Sequence, residues 1–71
     1  VTGNDLRIRR KRLGVSLEVQ AAKLGMDESL LAKVERGSRR MKDGLPDQYE
    51  AALRDILQER AASVGLQLIA A

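Results

Sequence analysis

Cysteine, histidine, tryptophan and phenylalanine are all absent from the 71 residues, and Tyr49 is the only aromatic side chain. Without cysteine there is no disulfide framework and no thiol nucleophile. Without histidine there is no imidazole base, and without either there is no Cys/His zinc site. What remains for chemistry is isolated carboxylates, lysines, Ser16, Ser29, Ser38 and Tyr49, with no base to activate a hydroxyl and no glycine-rich phosphate loop. A non-enzymatic chain with no metal, cofactor or small-molecule ligand is the expectation. No apolar run approaches the roughly 20 residues that span a bilayer, and the arginine-rich start leads into no signal-peptide core, so a soluble cytoplasmic protein without membrane contact is expected. With one proline and hardly an aromatic, the core must come from Leu, Ile, Val, Ala and Met, a palette suited to helices packed on helices. So short a chain buries only a modest core, and a partner subunit would add to it.

Charge is present but unevenly placed. Residues 1–42 hold 11 Lys/Arg against 5 Asp/Glu, whereas residues 43–71 hold 2 against 5. The first half suits a polyanionic partner and the second does not. Such asymmetry also arises in ordinary solvated helices, so charge alone assigns nothing.

Periodicity gives a succession of short helices divided by glycines. Asn4 or Asp5 is placed to cap a first helix reaching about Leu13, with Leu6, Arg10 and Leu13 on one face and Arg7, Arg9, Lys11 and Arg12 around the rest. Gly14 ends it. Ser16 opens a second helix with a Leu17, Ala21, Leu24 stripe, which Gly25 stops after two turns. Asp27 caps a third helix running to Arg36 and closed by Gly37; Leu30, Leu31 and Val34 fall on one side, and Glu28, Ser29, Ala32, Lys33 and Arg36 on the other. A basic loop, Ser38 to Lys42, precedes a turn at Asp43 and Gly44. Pro46 then suits the first turn of a last, long helix over about 46–64, carrying Tyr49, Ala52, Leu53, Ile56, Leu57 and Val64 at three- and four-residue intervals until Gly65. For the apolar tail, residues 66–71, strand, helical extension and frayed end all remain open. With no repeats or low-complexity linkers, residues 1–71 read as one domain.

The stretch from Gly14, Val15 and Ser16 through Ala21, Lys23, Leu24 and Gly25 to Val34, Glu35, Arg36 and Gly37 resembles the helix-turn-helix family of lambdoid repressors, Cro proteins and Xre-like regulators, over about residues 6–42. Each match has a physical reason: Ala21 is small where helices two and three cross, Gly25 makes the tight turn, and Leu31 and Val34 hold the third helix to the core. The resemblance implies an all-α repressor-like domain of four to five helices; the single long C-terminal helix given by periodicity departs from it, because many relatives split that region into two short helices, and suits dimerisation. The resemblance further implies double-stranded DNA as partner, a homodimer on a palindromic operator, and the third helix, 27–36, in the major groove.

Carried over residue by residue, it assigns base contacts to Glu28, Ser29, Ala32 and Lys33 and phosphate contacts to Ser16, Arg36, Arg39, Arg40 and Lys42. Arg10 and Glu35 match a buried ion pair. A dimer surface would be drawn from Leu53, Ile56, Leu57, Val64, Leu66 and Leu68, several of which the core of the single chain also claims.

Two positions depart from the pattern. Leu17 stands where the family usually has a polar residue and Gln20 where it usually has a core leucine, as though exchanged, so Gln20 should find a hydrogen-bond partner or sit at the rim of the core. Glu18 and Glu28 put carboxylates near where phosphates would lie. A second reading stays open, favoured by the acidic last helix and disfavoured by the basic loop: a protein-interaction module of antitoxin or antirepressor type that keeps the fold. Salt dependence of DNA affinity separates the two.

Overall fold

Four glycines with positive φ, at 14, 25, 37 and 44, partition the chain into four helices: α1 (Gly3–Arg12), α2 (Leu17–Leu24), α3 (Glu28–Arg36) and α4 (Leu45–Ala70). The computed structural model describes the backbone of residues 1–70 and the side chains of residues 1–64. The first three helices end alike, with an amide just past the helix donating to a carbonyl five residues back: Val15 to Arg10 (3.2 Å), Met26 to Ala21 (2.9 Å) and Ser38 to Lys33 (2.9 Å). That closure satisfies carbonyls the helix leaves unpaired and needs a left-handed residue inside it, which explains the glycine at each site.

Helix starts differ from the sequence expectation at two places. α1 is capped by Thr2, not by Asn4 or Asp5: the Asp5 amide donates to Thr2 Oγ1 (3.2 Å), and the Thr2 amide donates to Asp5 Oδ2 (2.9 Å). This reciprocal capping box draws Asp5 inside the helix as the third residue of its first turn. Asp27 stands at the N-cap of α3, but its side chain makes no capping bond. At the other end of the chain, α4 begins at Leu45, and its backbone stays helical past Gly65 to Ala70. An interior glycine costs a helix about 1 kcal/mol and does not by itself end one. At 1.5 Å per residue α4 is about 39 Å long, the main contributor to a body measuring 47 × 20 × 18 Å.

α1 packs on α3, α2 on both α3 and α4, and α1 more lightly on α4. Leu6, Val15, Ala21, Leu31, Tyr49, Leu53 and Ile56 form one core, flanked by Leu13, Leu17, Leu24, Met26 and Met41. Gln20 lies fully inside it. Its Nε2 donates to the Tyr49 carbonyl (3.0 Å), tying α2 to α4, while Oε1 has no hydrogen-bond partner among the described residues. A buried acceptor left unpaired costs about 1–3 kcal/mol, more than the 0.5–1.5 kcal/mol an average hydrogen bond contributes. Gln20→Leu, which removes both, is therefore expected to raise stability by about 1 kcal/mol in urea unfolding. A loss of stability would mean that the Tyr49 bond outweighs the orphaned oxygen.

Candidate nucleic-acid interface

α3 has two unlike sides. Leu31, Val34 and Glu35 are buried, whereas Glu28, Ser29, Lys33 and Arg36 are exposed and Ala32 is half-exposed. The buried side is fixed by more than apolar packing. Glu35 receives both Arg10 Nε (3.1 Å, to Oε2) and Arg10 Nη2 (2.9 Å, to Oε1), and Oε2 also accepts the Tyr49 hydroxyl (2.7 Å). The remaining Arg10 Nη1 donates to the Val15 carbonyl (2.9 Å). One carboxylate therefore joins α1, α3 and α4, and the guanidinium reaches on into the α1–α2 connection. Arg10 and Glu35 are 6% and 3% exposed, so each charge depends on the other for the solvation it has lost.

The bond to Glu35 raises the Arg10 pKa further. Burial, then the hydrogen bond and negative charge of Glu35, push the Tyr49 phenol up from its ordinary 10.0. The sign for stability follows. The folded chain keeps this proton at a pH where the unfolded chain releases it, so stability is complete below pH 10 and falls above it, by up to about 1.4 kcal/mol per pH unit. Because Tyr49 is the only tyrosine, tyrosinate absorbance should rise together with unfolding on alkaline titration, and Tyr49→Phe should lose that share of the pH dependence. Tyrosinate forming while helical circular dichroism is intact would contradict the burial argument.

Around α3 stand cations. Arg39, Arg40 and Lys42 are exposed on the loop after it and line a groove beside Leu30 and Val34. Ser16 caps α2, its Oγ accepting the Val19 amide (3.1 Å) and leaving the hydroxyl proton free to donate. None of Lys33, Arg36, Arg39, Arg40 and Lys42 is in a salt bridge among the described residues. Apart from the buried Arg10–Glu35 pair, the salt bridges among the described residues lie away from α3: Arg9 with Glu50 (2.5 Å), whose hydrogen bond holds the Glu50 carboxyl below its usual range, and Lys23 with Glu59. The two halves of the architecture, an exposed helix face and a tight Gly25 turn leading into it from α2, are those of a helix-turn-helix. Residues 3–58 match the family model of that domain. The chain belongs to the helix-turn-helix domain family. Searches of curated proteins and of solved structures gave no match.

Within this helix-turn-helix domain, Leu53 and Ile56 are 1% and 4% exposed. Both are committed to the core of their own chain and drop out of the surface a partner could touch. Leu57 is half-buried and Val64 is exposed, while the side chains of Leu66 and Leu68 lie outside the described residues. The periodic stripe on α4 carries no information about where the globule ends along it, so core and surface positions share one pattern. Two contributors were missed. Tyr49 read as one more apolar-stripe residue, although its being the chain's lone aromatic was a signal. Gly3 gave no signal as a contact, yet it lies buried against the backbone of α3.

Proposed function

We propose that the chain is a sequence-specific regulator of transcription that binds double-stranded DNA with α3 in the major groove, in the manner of phage repressors and Cro proteins. The observation that carries this reading is the outward face of α3, open to solvent and bordered by unpaired cations, on a helix whose inner face is locked to the body by a buried ion pair. Glu28, Ser29, Ala32 and Lys33 meet base edges: lysine donates to guanine acceptors, glutamate accepts from the cytosine amino group, and the alanine methyl meets that of thymine. Ser16, Arg36, Arg39, Arg40 and Lys42 hold phosphates, fixing register without reading sequence. Two copies bind a palindrome with half-sites about 34 Å apart. Of the dimer-surface residues named above, Leu57 and Val64 are the described ones still accessible to join them. This chain acts on DNA in the cytoplasm.

Selection of binding sequences from a random duplex library at near-physiological salt tests this. A palindromic consensus is expected. No enrichment over the input would overturn the reading in favour of a protein-interaction module. On the selected site, Lys33→Ala should relax base preference at one position of each half-site, at about 1–3 kcal/mol, whereas Arg39→Ala should weaken all sequences alike and lower the salt slope by about 1. Identical behaviour of the two variants would dissolve the division into reading and anchoring residues.

A further inference from the structure

The cations of α1 are not equivalent. Glu50 holds Arg9 and Glu35 holds Arg10, which leaves Arg7, Lys11 and Arg12 without a carboxylate partner among the described residues. Arg12 lies with Asp5, Ile8 and Arg9 on the outer side of the helix. Arg7 and Lys11, one turn apart, instead line a cleft of about 320 Å³ walled by Leu17 at the start of α2 and by Ala32, Glu35 and Arg36 of α3. The Glu35 charge is already met by Arg10 within that wall. The open side of the cleft therefore presents three positive charges.

Its position relative to α3 is the informative part. The groove carrying Arg39, Arg40 and Lys42 borders α3 at Leu30 and Val34, and this cleft borders it at Ala32 and Arg36. At 3.6 residues per turn those two edges lie about 120–160° apart around the helix, with Ser29 and Lys33 on the exposed arc between them. A helix of about 10–12 Å diameter seated in a major groove about 12 Å wide has the phosphates of one strand on each flank. Cations on a single flank would reach a single strand.

We infer that Arg7, Lys11 and Arg36 hold backbone phosphates of the strand opposite the one held by Arg39, Arg40 and Lys42, so that the reading helix is gripped from both banks of the groove. This deepens the DNA-binding reading and rests on it. The small Ala32 side chain leaves the cleft open to a phosphate, and the exposed Arg7 and Lys11 side chains carry none of the core.

The test uses the full chain on its selected duplex, with affinity measured over a salt series. Arg7→Gln/Lys11→Gln should bind on the order of 30-fold more weakly at about 0.15 M salt, with the log–log salt slope shallower by about 1.8 and base preference unchanged. Charge-retaining Arg7→Lys/Lys11→Arg should recover most of the affinity. Arg12→Gln, on the other side of the same helix, should change little. In phosphate-ethylation interference, the Gln/Gln variant should lose its contacts on one strand and Arg39→Gln on the other. Equal losses for Arg12→Gln, no loss for the double variant, or erasure of the same strand by both would overturn the inference while leaving DNA binding in place. A wild-type chain that bound no duplex would overturn both.

Discussion

Glu35→Ala is expected to lower the melting temperature by about 12–40 °C, enough to leave much of the chain unfolded at physiological temperature. Removing one partner of a buried ion pair costs about 3–5 kcal/mol, and a domain of this length has about 4–10 kcal/mol in all. Each kcal/mol moves the midpoint by about 4–8 °C at this size. The loss is severe because of which charge is left. Arg10 keeps its bond to the Val15 carbonyl but loses two bonds to Glu35, and a guanidinium, unlike a carboxylate, cannot shed its charge. The Tyr49 hydroxyl is stranded as well. Thermal melts followed by circular dichroism give the answer. The triple replacement Arg10→Met, Glu35→Leu, Tyr49→Phe should recover most of the stability, since exchanging a whole buried polar group for packed apolar side chains is often neutral or better. A single-variant loss below about 1 kcal/mol would show that water reaches the pair.

Gly3→Ala should also destabilise, and here the sign is the test. Inside a helix that exchange ordinarily gains up to about 1 kcal/mol. At position 3 the added Cβ would sit 2.0 Å from the Val34 carbonyl oxygen and 3.0 Å from the Glu35 Cα and carbonyl oxygen. All of these are backbone atoms of α3, so no side chain can turn aside. The N-terminus of α1 must lift off, at a cost of about 1–3 kcal/mol or more. The displacement would reach the residues α1 presents, Arg7 and Lys11 included. Equal or higher stability in urea for the alanine variant would mean that α1 does not approach α3 this closely.

These two sites show what was legible in the sequence and what was not. Ser16, Gly25, Asp27 and Gly37 mark the ends of α2 and α3 through local chemistry, although Asp27 stands at its N-cap without a capping bond. The two sides of α3 likewise follow from spacing. The Thr2 cap was overlooked because Asn4 and Asp5 are equally good capping residues, and what decides among them is how far α1 must extend to rest Gly3 on α3. The contacts that organise the core join residues 25, 14 and 29 positions apart, Arg10 with Glu35, Glu35 with Tyr49, and Gln20 with Tyr49. No periodicity encodes such meetings. Leu53 and Ile56 share a stripe with Leu57 and Val64, and only the place where α2 stops covering α4 separates core from surface.

The polar cluster at Glu35 has a kinetic side. Its members come from three helices and from both ends of the chain segment that forms the globule, so none of its bonds is made until the intervening loops have closed and their entropy has been lost. Once made, they are broken together: α3 cannot peel away without exposing an arginine and a phenol that α1 and α4 have buried. α3 is thus bound to the cooperative unit of the whole fold, and its local opening is suppressed to nearly the level of global unfolding. If α3 reads DNA as proposed, a surface held in that way would meet it already in shape, with little ordering entropy left to lose on contact.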